Sequence, residues 1–520
     1  MKALLLFVVV LTGLLCAGVE PNPYESPGPL QPQGRIDELV FARLKQLDLQ
    51  PAQPCSDSAF VRRVFLDVIG TLPTAIEAKT FLTDKSPDKR RALIDDLLTR
   101  DEFADFWAMK WSDLLRVKAE YPINLWPNAA QAYHHWIEAS LHANKPFNQF
   151  VRELLTSNGS NFRNGPANFY RAVQSRDAPA IARTVALTFM GVRAEKWPAE
   201  KQAGLAAFFT QIGYKTTAEW KEEIVFYDSS KTPPAGLSAA TFPDGTPAKL
   251  TADRDPREVF ADWLIDPKNP WFTRAISNRV WFWLLGRGIV HEPDDLRSDN
   301  PPANPELLAY LEEQLIASHY DLKALFRLIL NSQTYQLSCV PRSDKPEAVA
   351  NFAFYPLRRL EAEVLIDALN QITGSTEKYT SAIPEPFTYV PEGVRSIALP
   401  DGSITSSFLE MFGRPARDTG QELERNNRTT PTQRLHLLNS SQVRRKLEQG
   451  PNLQVIWREN QKRPPEFIDT LYLTILSRHP TTEERKAVQA YIKTSALPPQ
   501  QAGLDLAWAL INSAEFLHRH

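Results

Sequence analysis

The chain has 520 residues, of which 43% are hydrophobic and 23% are charged. These values are typical of a globular protein with enough length for two or more domains. The formal net charge of −2 excludes the basic electrostatic footprint of a protein whose main partner is nucleic acid or anionic lipid.

The first 18 residues have the pattern of an export signal. The apolar run from Ala3 to Leu15 is too short to span a bilayer comfortably, and no later segment is apolar enough to do so. We therefore expect a periplasmic or secreted protein without a transmembrane span. A lipoprotein attached through Cys16 is the less favoured alternative, because Leu15 is bulky where lipoprotein processing requires a small residue.

Removal of such a signal leaves two cysteines, Cys55 and Cys339. An exported compartment permits a disulfide between them, and two unpaired thiols are the alternative. Residues 19–34 are rich in proline and polar side chains, which is typical of a tether between a signal and a folded domain.

Helix signals dominate the rest of the chain. Thr74 and Glu77 have the spacing of a capping box, as do Thr481 and Glu484. Ser86 followed by a proline predicts another helix start. The sequence therefore indicates a mainly α-helical fold of two interlocked helical domains.

One helix carries an aromatic stripe, which consists of Phe103, Trp107, Trp111 and Leu114. Such a stripe could hold a sugar ring or a porphyrin. Aromatic side chains bury large areas, however, and a stripe at helical spacing is more often part of a core. We expect these residues to be core.

The pattern changes near residue 222, where four β-prone residues are followed by turn signals. We predict an N-terminal helical domain over 35–221, a β-hairpin insertion or linker over 222–252, and a C-terminal helical domain over 253–520. A long irregular loop is predicted over 378–415, because this stretch is rich in proline and aperiodic.

Standard catalytic signatures are absent from the sequence, including phosphate-binding loops, nucleophile elbows and paired Cys-x-x-Cys motifs. The run His-Glu-Pro-Asp-Asp at 291–295 has metal-binding residue types. Pro293 and the lack of helical spacing favour a capped loop there. We therefore expect no metal and no cofactor.

Two polar clusters combine acidic and basic side chains, one around residue 295 and one after the long loop. They could perform acid–base chemistry or hold a sulfated or carboxylated ligand through arginine side chains. The alternative is a salt-bridge network that fixes a loop to the helices. The candidate catalytic residues are Asp294, Asp295, Glu422 and His436. The candidate ligand-binding residues are Arg297, Arg414, Arg417 and Arg425.

Two long stretches resemble a known family. The segment that contains "RRVFLDVIGTLPT" resembles domain of unknown function 1549, and the segment that contains "NRVWFWLLGRGIV" resembles domain of unknown function 1553. These domains are paired in exported planctomycete-type proteins. The resemblance implies the fold and membership but no defined activity, so whether the chain is an enzyme stays open.

Many relatives carry a Cys-x-x-Cys-His-like run between segments similar to "FMGVR" and "AAFF". This chain has "AEKWPAEKQAG" there, and Gln421 to Arg425 stand where relatives have a second cysteine pair. A haem or cysteine-bound metal therefore cannot be carried over. We expect the corner at 188–209 to serve packing only.

The family resemblance leads to two functional hypotheses, and the acidic residues Asp294, Asp295 and Glu422 lead to a third. The first is a role in the handling of complex or sulfated polysaccharides. The second is a haem-free scaffold or partner of an exported cytochrome or electron-transfer complex. The third is a carboxylate-dependent hydrolase, which requires two carboxyl groups to converge in a cleft. The expected partners are thus a polysaccharide or another exported protein.

Overall fold

The computed structural model describes residues 22–231, 239–390, 392–461, 463–495 and 497–520. Helices make up 53% of the structure. Within the described ranges, the strands form one three-stranded and one two-stranded sheet. The prediction of a mainly α-helical protein is therefore confirmed.

Helices and a few short strands follow one another along both halves of the chain. The first half contains α1 (Arg35–Gln46), α2 (Asp57–Val68), α3 (Ala75–Thr83), α4 (Lys89–Leu97), α5 (Asp101–Leu114), α6 (Pro127–His142), α7 (Phe147–Thr156), β1 (Gly159–Ser160), α8 (Ala178–Met190), α9 (Ala199–Ala206), β2 (Ile212–Thr216) and β3 (Glu223–Tyr227). The second half contains α10 (Pro256–Ile265), α11 (Phe272–Leu285), α12 (Pro305–Ala317), α13 (Leu322–Leu330), α14 (Pro346–Ala350), β4 (Arg358–Arg359), α15 (Ala362–Thr373), α16 (Ser407–Met411), α17 (Pro431–Asn439), α18 (Ser441–Gln449), α19 (Pro451–Asn460), α20 (Pro464–Leu476), α21 (Thr482–Thr494), α22 (Pro499–Ile511), α23 (Ala514–Leu517) and β5 (His518–Arg519). Short 3-10 helices cover Gly165–Tyr170, Ala194–Lys196, Ala207–Phe209, Ser396–Ala398 and Glu422–Glu424.

The helix starts follow the capping chemistry of the sequence in two predicted places. Thr74 and Glu77 form a complete capping box at the start of α3, and Thr481 and Glu484 do so at α21. Each threonine accepts a hydrogen bond from an amide of the first turn that has no partner within the helix.

The predicted start at Ser86 is wrong. Helix α4 begins at Lys89, because the side chain of Asp84 accepts a hydrogen bond from the backbone amide of Ser86 at 2.8 Å. This contact holds Ser86 in a turn that precedes the helix.

The aromatic stripe lies in the core, as expected. Phe103, Trp107 and Trp111 each expose 2% or less of their surface. The Trp107 ring lies 4.5 Å from the ring of Phe326 and 5.0 Å from that of Trp283, both of which belong to the second half. The stripe therefore stabilises the contact between the two halves through large aromatic burial.

Charged side chains also connect the two halves. Arg62 of α2 donates to the carbonyl oxygens of Ile475 and Phe516 at 2.9 and 2.8 Å. Its neighbour Arg63 donates to the carbonyl of Leu337 at 2.9 Å. Helix α2 thus binds backbone groups of the second half of the chain, which is the interlocking that the sequence predicted.

The small β element differs from its prediction in one respect. Strand β3 lies in the predicted 222–252 insertion, but its hairpin partner β2 lies in the predicted N-terminal domain. Both strands are antiparallel, and β1 pairs with the other edge of β3. The hairpin therefore begins before the predicted boundary, since Ile212 and its neighbours pair with a strand rather than continue a helix.

The long segment 378–415 is mostly irregular but contains a 3-10 helix and α16. Its apolar residues Ile397, Leu399, Ile404 and Phe408 are fully buried. The carboxylate of Asp367 accepts hydrogen bonds from two backbone amides of the segment, at 2.7 and 3.1 Å. These contacts hold the segment against α15.

The corner at 188–209 is packing in the structure. Phe189, Leu205, Phe208 and Phe209 are all buried. Gly191 ends α8 in the left-handed conformation that glycine adopts most easily.

Cys55 and Cys339 are free thiols, the first buried and the second partly exposed. The predicted signal at 1–18 lies outside the described residues. No helix of the described ranges combines the length and apolarity that a membrane crossing requires.

Candidate functional site

A polar cleft of about 760 Å³ lies where the two halves of the chain meet. It is lined by α5, by the last turn of α11, by the residues around β4, and by the segment 422–428. Its basic side chains are Lys110, Arg358, Arg359, Arg425 and Arg428, and its acidic ones are Glu361, Glu422 and Glu424. The cleft therefore has an excess of positive charge.

Lys110 and Glu361 form a buried ion pair in this cleft, with 2.7 Å between Nζ and Oε1. The other oxygen of Glu361 accepts a hydrogen bond from Arg519. Burial lowers the pKa of Lys110. Burial by itself raises the pKa of Glu361, but the nearby charges of Arg519 and Lys110 outweigh it and hold that pKa well below its usual range. Glu361 therefore stays ionised.

Glu422 is an acidic residue of the cleft whose pKa is shifted in the opposite direction from that of Glu361. It is partly exposed to the cleft, and its Oε1 accepts a hydrogen bond from the indole N–H of Trp283 at 3.0 Å. Burial of the carboxyl raises its pKa, against the opposing charges of Lys110 and Arg279. Glu422 thus keeps its proton to a higher pH than an ordinary glutamate.

The backbone of Glu422 is fixed by Asp294. The Oδ2 atom of Asp294 accepts a hydrogen bond from the Glu422 amide at 2.7 Å, and Oδ1 pairs with Arg279 at 2.6 Å. Arg279 in turn donates to the carbonyl of Thr188 at 2.8 Å. Asp294 and Arg279 are almost fully buried, so Asp294 holds the cleft segment in place and does not face the cleft.

Arg425 binds two buried carboxylates beneath the cleft. It lies 2.6 Å from Asp113 and 2.6 Å from Glu363, and only 5% of its side chain is exposed. Burial raises the pKa of both acids, but Arg425 outweighs it and the pKa of each is lowered. The positive charge of Arg425 is therefore already balanced within the protein.

Arg414 and Arg417 belong to the same network. Arg417 pairs with Asp113 at 2.9 Å, and Arg414 approaches Glu363 at 3.5 Å. Arg414 also donates to the carbonyl oxygens of Ile404 and Asp401. Both arginines lie below the cleft surface, so they stabilise the segment after the long loop and cannot contact a ligand in the cleft.

Arg359 shapes the backbone of the cleft wall. Its guanidinium donates to the carbonyl oxygens of Phe412, Asn426 and Asn427 at 2.6, 3.2 and 3.0 Å. The exposed side chain of Arg428 comes directly after these residues and makes no ion pair with any residue that the structure describes. A rigid wall therefore presents one free guanidinium.

The remaining predicted residues lie outside the cleft. Asp295 pairs with Arg297 at 3.0 Å, and Arg297 also pairs with Asp299 at 3.2 Å in a partly exposed turn. His436 packs on the edges of Phe408 and Phe412, and burial lowers its pKa. The structure thus brings together Asp294, Glu422 and Arg425 but not Asp295, His436 or Arg297.

Two family models match the chain. The first, described as protein of unknown function DUF1549, matches residues 35–211, and the second, described as protein of unknown function DUF1553, matches residues 256–492. The chain therefore carries a DUF1549 domain in its N-terminal half and a DUF1553 domain in its C-terminal half. No curated protein and no solved structure shows a significant match.

The domain matches place the cleft at the junction of the two family domains. Lys110 lies within the DUF1549 match, whereas Glu361 and the segment 422–428 lie within the DUF1553 match. The cleft therefore depends on the pairing of both domains in one chain.

Sequence reasoning missed most charged residues of the cleft, among them Lys110, Arg358, Arg359, Glu361 and Arg428. One signal was present, because Lys110 stands between Trp107 and Trp111 on an otherwise aromatic helix. A lysine among core aromatics indicates a buried charge with a partner. The partner, Glu361, is 251 residues away in sequence, so only the folded chain identifies it.

Proposed function

We propose that this protein is exported and binds an acidic or sulfated polysaccharide in the polar cleft. The observation that carries the proposal is the exposed guanidinium of Arg428, which makes no ion pair within the described residues, at an open cleft between the paired domains. A volume of about 760 Å³ falls in the range typical of ligand sites, roughly 300 to 1,000 Å³. Export is inferred from the apolar run at residues 3–15.

The arginine proposed here to bind the ligand differs from those predicted from the sequence. Arg425 lines the cleft but is neutralised by Asp113 and Glu363. Arg428 is exposed and is placed to donate to sulfate or carboxylate oxygens. Arg358 is partly exposed, but its guanidinium already donates to the carbonyl oxygens of Trp283 and Leu284 at 2.8 and 2.7 Å. Arg428 is the better probe, since Arg358 also supports the buried carboxylate of Asp67 at 3.1 Å.

Thermal unfolding tests this binding. A ligand at about a hundred times its dissociation constant stabilises a folded protein by roughly 2.7 kcal/mol, which gives a clear rise in Tm. We expect κ-carrageenan oligosaccharides to raise the Tm of the wild-type protein more than their desulfated counterparts do. Arg428→Ala should reduce the rise.

The matched control is Arg444→Ala, because Arg444 is also exposed but lies on α18, where Glu448 is its only ion-pair partner among the described residues. It should leave the rise in Tm unchanged. An equal effect of both variants, or an equal rise with sulfated and desulfated oligosaccharides, would contradict binding in the cleft through sulfate.

A second candidate function is carboxylate-dependent hydrolysis in the same cleft. It is favoured by one observation, the raised pKa of Glu422 at the cleft, where its Oε1 accepts a hydrogen bond from Trp283. A carboxyl group that keeps its proton to a higher pH than an ordinary glutamate suits a general acid. Glu422 would donate its proton to the glycosidic oxygen while a water molecule attacks the sugar and releases its proton to solvent. Glu361 does not take that proton, because Lys110 and Arg519 bind both of its oxygens.

Release of reducing ends from the same oligosaccharides tests this hydrolysis. Glu422→Gln should abolish release while binding persists, whereas Glu448→Gln on the exposed surface of α18 should have no effect. Wild-type activity should fall as pH rises through the raised pKa of Glu422, because the proton donor is lost. Activity retained by Glu422→Gln would contradict the assignment.

A large apolar surface patch would favour the scaffold hypothesis, and the aromatic stripe is one candidate place for it. The structure places Phe103, Trp107 and Trp111 in the core, so no patch is formed by these residues. A partner role for this protein therefore remains a proposal without support from that stripe.

A further inference from the structure

We propose that a second, exposed site binds the sugar rings of the same polysaccharide through aromatic side chains. This inference deepens the proposed function and rests on it for the class of ligand. The site is the aromatic platform, which we define as Trp126, Trp220 and Phe387. These three residues come from three separate segments of the chain, and the fold brings them into mutual contact.

The geometry of the platform is that of a cluster rather than of isolated surface residues. The ring of Trp126 lies 4.7 Å from that of Trp220 and 5.6 Å from that of Phe387, and Trp220 and Phe387 are 5.3 Å apart. Trp220 is 60% exposed and Phe387 is 43% exposed. Large apolar groups that cluster in solvent mark interaction sites more often than isolated ones do.

The backbone that carries the platform is held firmly. Trp126 and Lys221 both have positive φ angles, 75° and 66°, which are unfavourable for residues with side chains. Buried polar groups maintain these conformations. Arg171 donates to the carbonyl of Leu125 at 3.2 Å, and Asn161 donates to the carbonyl of Lys221 at 3.2 Å. The backbone at Trp126 and beside Trp220 is therefore held before a ligand arrives, which lowers the entropic cost of binding.

Polar groups at the platform match the chemistry of a charged sugar. The ammonium of Lys221 lies 5.3 Å from the Trp126 ring and 5.6 Å from the Trp220 ring, where it could pair with a sulfate or carboxylate. Within the described residues, neither indole N–H donates to a protein acceptor, so both are free for sugar hydroxyl groups. Two further exposed aromatics, Tyr121 and Tyr389, belong to the same chain segments.

A sugar chain fits this surface better than a folded protein partner does. A stable protein interface buries about 800 Å² on each side, whereas one aromatic side chain supplies roughly 150 to 250 Å² when fully covered. The exposed parts of three rings thus suit one or two pyranose rings.

The platform is also connected to the cleft. Lys118, eight residues before Trp126, pairs with Asp418 at 2.7 Å. The carboxylate of the cleft residue Glu424 accepts hydrogen bonds from the amides of Asp418 and Thr419. One loop therefore supports both regions.

Affinity electrophoresis of the full chain in gels that contain κ-carrageenan, fucoidan, laminarin or xylan tests the proposal. We expect at least one of these polysaccharides to retard the wild-type protein. Trp220→Ala and Phe387→Ala should each need about five to ten times more polysaccharide for the same retardation. Trp508→Ala removes an aromatic that is 40% exposed on α22 and should leave retardation unchanged.

Several results would overturn the platform. These are no retardation of the wild-type protein in any gel, or equal retardation of the wild-type protein and all variants. The Tm of each variant confirms that it is folded. The variant Arg428→Ala distinguishes the two sites. If only Trp220→Ala weakens binding, the cleft is not the binding site. If only Arg428→Ala weakens binding, the platform is not a binding site.

Discussion

Two clusters of aspartates, glutamates and arginines look alike in the sequence but differ in the folded protein. In the network beneath the cleft, Arg425 joins the buried carboxylates of Asp113 and Glu363. In the turn near residue 297, Arg297 joins Asp295 and Asp299, and 40% of the Arg297 side chain is exposed. Burial, and not residue type, therefore decides how much an ion pair contributes to the free energy of unfolding.

The largest expected effect on stability is in the buried network beneath the cleft. Arg425→Ala leaves Asp113 and Glu363 without their main cation, and loss of one partner of a buried ion pair costs about 3–5 kcal/mol. We expect a decrease of this size in the free energy of unfolding, measured by urea denaturation. Arg425→Met, which retains the volume, should cost nearly as much if charge and not packing is the cause. A loss below about 1 kcal/mol would contradict the buried network.

The pH dependence of stability is a second test of the buried network. The folded-state pKa values of Asp113, Glu361 and Glu363 are lowered, so their ionised forms stabilise the fold above the unfolded pKa of about 4. This stability is lost as pH falls through the lowered folded values. Wild-type stability should therefore decrease below about pH 4, and the decrease should be smaller in Asp113→Asn, measured by urea denaturation across pH. Parallel curves would argue against the assignment.

The effect of Glu422 on the pH dependence of stability should have the opposite sign. Its folded pKa is raised, so the protein loses stability as pH rises from the unfolded pKa of about 4.3 through the folded value. Each unit of pKa corresponds to about 1.4 kcal/mol. Glu422→Gln cannot ionise and should be more stable than wild type at pH 7 but equal to it near pH 3. Differential scanning calorimetry at the two pH values measures this, and a variant less stable at pH 7 would contradict it.

The smallest effect on stability is expected in the exposed turn near residue 297. Arg297→Ala should change the free energy of unfolding by no more than about 0.5 kcal/mol, because solvent screens exposed ion pairs and solvates the remaining acids. Urea denaturation under the conditions used for Arg425→Ala gives the comparison directly. A loss close to that of Arg425→Ala would remove the distinction between the two clusters.

Part of the candidate site could be predicted from the sequence. The segment with Glu422 and Arg425 was recognised because acidic and basic residues follow a long aperiodic stretch. The roles of Asp294 and Arg425 were not predictable, since each is set by a partner far away in sequence, the Glu422 amide in one case and Asp113 in the other. Spacing along a chain gives no measure of burial, and burial decides whether an arginine is free to bind a ligand.

The helical class, the two domain matches, two capping boxes and the burial of the aromatic stripe could all be predicted from the sequence. These features depend on interactions between residues a few positions apart or on a hydrophobic period, and both are visible in one dimension. The cleft and the aromatic platform are visible only in the folded chain. Lys110 meets Glu361 and Trp126 meets Phe387 across more than 200 residues, because the two domains interlock through a shared core.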